Sequence, residues 1–132
     1  MKKVFPLKIA TWGTIVILSC IILFHFLVLA GAIPSDIVWG GNLVDKSQLY
    51  TMEAISILVN SVMLFTILIF CRIVKLNVSR RIIIAAIWFM FGLFLLNTLG
   101  NLMAKNSLET YIFTPLTFLL SVFCFRIAAY EQ

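Results

Sequence analysis

The chain alternates long apolar runs with short polar connections. Four runs stand out, about Ile9 to Ile33, Met52 to Val74, Ile82 to Ala104 and Tyr111 to Ala129. Each is long enough to cross roughly 30 Å of hydrocarbon as a helix. Strand-type alternation is absent, which speaks against a β-barrel. The pattern therefore predicts an all-α fold, a four-helix transmembrane bundle in one integral membrane domain covering 1–132. Short connections predict up-down-up-down order with antiparallel neighbours.

Local signals refine the ends. Asp45, with Gln48 three residues on, predicts a capped start of the second helix near Lys46. Thr114 before Pro115 reads as an N-cap and first-turn pair. That start leaves about 15 residues before Ala129, short for a crossing. Glu109 to Phe113 then form a separate interfacial turn, or else one longer helix kinks at Pro115. The connection from Pro34 to Thr51 carries Trp39-Gly40-Gly41, readable as a Trp-anchored interfacial turn or as a lid over an external pocket.

Composition agrees with a membrane setting. Of 132 residues, 63% are hydrophobic and 11% charged, and the mean hydropathy is +1.14. Soluble domains carry about 25% charged residues. A soluble, disordered or disulfide-stapled secreted chain is thereby excluded. The +5 charge flanks apolar spans, which points to anionic membrane lipids and not to nucleic acid.

Lys and Arg also set the orientation. Lys2, Lys3, Lys8, Arg72, Lys75, Arg80, Arg81 and Arg126 fall on one side, against Lys46 and Lys105 on the other. The positive-inside rule places both termini in the cytoplasm. The amino-terminal apolar run of about 21 residues exceeds a signal peptide's usual h-region, so it is expected to stay as the first span. The localisation expected is a cell membrane, crossed several times.

Candidate chemistry lies in the polar groups within the spans, which are costly in hydrocarbon and tend to face the bundle interior. His25, Asn60 and Asn97, from three helices, fall at a similar depth about 4–6 Å outward of the midplane. Glu53 and Asn101 sit higher, and Thr114 and Thr117 complete a ring. The expected ligand-binding set is His25, Glu53, Asn60, Asn97, Asn101, Thr114 and Trp39. Each has a plainer reading. The Asn and Thr side chains can be interhelical glue, worth about 0.6 kcal/mol each. His25 can be a satisfied structural histidine and Glu53 a solvated interfacial acid, or Glu53 pairs with His25 or an Asn across a pocket as a proton-linked or cation-binding carboxylate. Arg126 is expected to snorkel to the surface.

No phosphate loop, nucleophile elbow or HExxH occurs, so no catalytic residues, metal ligands or cofactor are assigned. The three cysteines, Cys20, Cys71 and Cys124, lie in apolar runs and read as packing residues.

Val38-Trp39-Gly40-Gly41, Asn97-Thr98-Leu99-Gly100-Asn101 and Thr114-Pro115-Leu116-Thr117 together resemble a group of small, uncharacterised bacterial four-span membrane proteins. The resemblance implies architecture and no particular chemistry. Small multidrug-resistance transporters are similar in length, but His25 stands in the first span where that resemblance would need a glutamate.

Three functions follow as expectations. The first is binding or transport of a small ligand at an outward-facing polar pocket, with His25 as the proton-exchanging group. The second is a non-catalytic accessory or immunity-type subunit docked on a membrane-protein partner or a second copy of the chain. The third, an intramembrane enzyme acting on a lipid or isoprenoid, is the least favoured.

Overall fold

The computed structural model describes residues 5–34, 45–105 and 107–131. Helices α1 (Leu7–Leu29), α2 (Lys46–Phe70), α3 (Arg80–Leu102) and α4 (Thr114–Ala128) account for most of them. A π-helical turn, Glu109–Phe113, leads directly into α4. No strand occurs among the described residues. With the π turn joined to α4, all four helices are long and apolar enough to cross a membrane, as expected of a multi-pass membrane protein.

Contacts at the helix ends establish the antiparallel order. His25, late in α1, meets Glu53, early in α2. Thr98, late in α3, donates to Thr117, early in α4. Arg80, at the start of α3, donates to the Phe70 carbonyl at the end of α2. Nε of Arg126, near the end of α4, donates to the Phe5 carbonyl before α1. Arg126 is therefore 6% exposed and buried. It does not snorkel as expected, because a carbonyl ahead of the first helix lies within its reach.

The helix ends follow backbone chemistry. Asp45 accepts from the Gln48 amide at 2.7 Å, capping α2 where the sequence predicted. That cap starts α2 six residues before the apolar run begins. α2 then ends at Phe70, four residues short of the predicted Val74. The amides of Arg72 and Ile73 bond the carbonyls of Ile69 and Leu68, closing a Schellman-type turn with Arg72 at φ 58°. α1 ends the same way, with Gly31 at φ 81° and the Ala32 amide bonded to Leu27. Thr114 is not an N-cap, since its backbone is already helical. The chain ahead of it coils as the π turn, which supplies the missing length.

The apolar core fills the middle of the bundle and the half that carries the chain ends. Leu18, Ile67, Ile87, Leu120 and Ile127 are fully enclosed there. Trp88 packs edge-on against Phe91 and Phe125. Of the cysteines, Cys124 is buried in this core and Cys20 is exposed. α1 packs closely on α2 and α4, and α3 on α4, whereas α2 and α3 touch sparingly. Gly13 permits the α1–α4 approach, because a Cβ there would lie 2.4 Å from the Phe123 ring. Large apolar side chains such as Val16, Leu58, Phe89 and Leu96 cover the outside, as a lipid-facing surface requires.

Candidate functional site

The half of the bundle away from the chain ends holds most of its polar side chains. Glu53 lies two turns inside α2 and has no exposed surface. Of the two readings, a solvated interfacial acid or a carboxylate paired with His25 or an Asn, the structure excludes solvation and shows the His25 pair. The early start of α2 carries the position inward, and α1 covers it. A carboxylate so enclosed needs a partner. Its Oε2 accepts from Nδ1 of His25 at 2.6 Å, with 15% of the histidine side chain still exposed. A carboxylate on Nδ1 fixes the ring's orientation and, in a neutral imidazole, leaves Nε2 as the basic nitrogen. Phe24 and Phe113 stack edge-on beside it.

His25 forms part of the wall of a cavity of about 310 Å³, near the lower end for small-ligand sites. Glu53 stands behind it and does not line the cavity. α2 contributes Ser56 and Asn60, and α3 contributes Asn97 and Asn101. The Asn60 amide donates to the Ser56 carbonyl, and that of Asn101 to the Thr117 hydroxyl at 3.3 Å. Thr117, on the α4 wall, also accepts from Thr98 at 3.0 Å. Asn97 stands at the rim, exposed.

Of the seven expected residues, His25, Asn60, Asn97 and Asn101 line one cavity, so the polar groups of three helices do converge. Glu53 supports it from behind. Thr114 does not line it, because its hydroxyl turns back to the Glu109 carbonyl at 3.3 Å. Trp39 lies outside the described residues.

Glu109 is the residue that sequence reasoning missed. It reads as a connection acid, yet it is only 8% exposed and lies on the cavity wall. The π turn folds it inward, where an α-helix beginning at Thr114 would have left it in the connection. The signal was the short α4: five further residues had to coil to complete the crossing. Wide turns of this kind recur at functional sites.

Chemically, the wall combines an oriented imidazole, carboxamides that donate and accept, and the Glu109 carboxylate. Among the described residues, no lysine or arginine lines it. The chain matches no protein-family model, no curated protein and no solved structure.

Proposed function

We propose that this protein binds a small ligand in the cavity of the connection-end half, with His25 as the central contact. The supporting observation is the His25–Glu53 contact on the wall of a cavity that Asn97 and Asn101 also line. Burying a carboxylate completely is expensive, and orienting a partly exposed imidazole toward a cavity gives that expense a purpose. The charge bias of the connections puts this half on the outer side of a cell membrane and both chain ends in the cytoplasm. Asn60, Asn97 and Asn101 would hold the ligand by hydrogen bonds. A chain of four spans favours binding or handing on a ligand over a complete alternating-access cycle.

Native mass spectra of protein released gently from its own membrane test this. A reproducible added mass is expected on the wild type, lost in His25→Ala and in Asn97→Leu while the bundle still assembles. Equal retention in both variants would refute the reading.

The same contact favours one second reading. A carboxylate-oriented imidazole can also shuttle a proton, so the cavity could serve an intramembrane enzyme acting on a lipid or isoprenoid. Chemical change of the bound molecule, lost in His25→Ala but kept in Asn101→Ala, would select that reading.

A further inference from the structure

The cavity is not closed on all sides. α2 and α3 are the neighbouring helices that touch least, and both contribute lining residues at that seam. Ile55 and Val59 of α2 line the cavity while 51% and 39% exposed. Facing them, Leu93 and Asn97 of α3 line it too. The seam is therefore an opening in the side of the bundle, toward the surface that lipid covers.

Asn97 is an independent pointer. It lies six residues from the middle of α3, about 9 Å along the helix axis, within the hydrocarbon depth of a bilayer. Its side chain is exposed, and no hydrogen bond to it is found among the described residues. A bare carboxamide facing hydrocarbon is costly. A polar group brought to the seam by a ligand would remove that cost.

Charge selects the head group. Among the described residues the wall carries Glu109, with Glu53 behind His25, and no lysine or arginine. A phosphate or carboxylate head would meet carboxylates in a medium that screens them poorly. A hydroxyl or amine would donate to Glu109, the carboxylate on the wall. The volume of about 310 Å³ suits a head and the first carbons of a chain, leaving the rest in the bilayer.

We infer that the ligand is a membrane amphiphile with a non-anionic, hydrogen-bond-donating head, admitted sideways between α2 and α3. This rests on the cavity being a ligand site, as proposed above.

The test uses the full chain in phosphatidylcholine vesicles with a diazirine-bearing octadecanol. After photolysis, adducts concentrate on residues 55–60 and 93–97. Unlabelled octadecanol or octadecylamine competes; stearate and glycerol do not. Val59→Trp, which obstructs the seam, lowers labelling about tenfold, and Ile55→Trp gives the same direction should the first variant fold poorly. Val16→Trp, on the exposed face of α1, leaves labelling unchanged. Labelling spread evenly over the lipid-facing helices, or competition by stearate equal to that by octadecanol, overturns the inference. A native bound mass that survives Val59→Trp and Ile55→Trp but vanishes in His25→Ala would overturn sideways admission and leave the ligand site standing. A mass that survives His25→Ala would remove the ligand site itself.

Discussion

Nδ1 of His25 lies 2.6 Å from Oε2 of Glu53, tying α1 to α2 across a separation of 28 residues. A short bond to a carboxylate of this kind contributes about 1.5–3 kcal/mol, against about 0.6 kcal/mol for an ordinary interhelical bond in a membrane. The difference decides whether the pair is an anchor or simple glue. Glu53→Ala is expected to lower bundle stability by about 1.5–3 kcal/mol, with His25→Leu recovering part of it in the double variant. Unfolding in mixed micelles, arranged as a double-mutant cycle, measures this. A coupling near 0.6 kcal/mol would make the contact glue.

The approach of α1 to α4 depends on Gly13. A Cβ there would sit 2.4 Å from Cε2 of Phe123, whose ring is also held edge-on by Phe5 at 6.0 Å. Gly13→Ala is expected to cost about 1–3 kcal/mol, the usual range for overpacking. Adding Phe123→Leu removes the ring atom responsible and should return part of that stability. The same micelle unfolding reads both variants, and an additive double variant would show that the two residues do not clash.

Arg72 occupies the left-handed position that closes α2, at φ 58°. A side chain there costs about 1 kcal/mol relative to glycine. Arg72→Gly is therefore expected to stabilise the fold by up to about 1 kcal/mol. Midpoints of thermal unfolding for the two proteins check the sign. The comparison is informative because Gly31 already fills the equivalent place after α1.

Cys71, just past α2, has its thiol pushed up in pKa by burial, with the Thr11 hydroxyl and the Arg80 charge pulling partly the other way. A raised folded-state pKa stabilises the fold below the unfolded thiol's pKa; that contribution is lost as pH rises through the folded value. Alkylation of Cys71 by N-ethylmaleimide, with Cys20→Ser and Cys124→Ser in place, should begin at higher pH than for an exposed thiol. Arg80→Ala should move the profile higher again. A profile shifted to lower pH in Arg80→Ala would contradict this arrangement.

The periodicity of apolar residues made the helices legible because crossing hydrocarbon demands long runs, and the Asp45 cap located one end to the residue. α2 ended early because a left-handed Arg72 closed a turn where glycine is the usual residue, and no local pattern announced it. That His25, Asn60, Asn97 and Asn101 face one cavity was legible because polar groups in apolar runs are rare and tend to turn inward. The depth of Glu53 was not, since it depended on which part of α2 α1 covers. Glu109 needed a π turn to carry it inward, and sequence spacing offers that turn only as the answer to a helix too short to cross. The sideways seam is a property of how closely α2 and α3 approach, which no single residue encodes.

The most direct test of the proposed ligand site is a density map of the protein in nanodiscs cut from its own membrane, with a rigid binder attached for alignment. The account predicts density among His25, Asn97 and Glu109 that continues out between α2 and α3. A map in which those side chains close on one another, with the seam between α2 and α3 sealed, would contradict it.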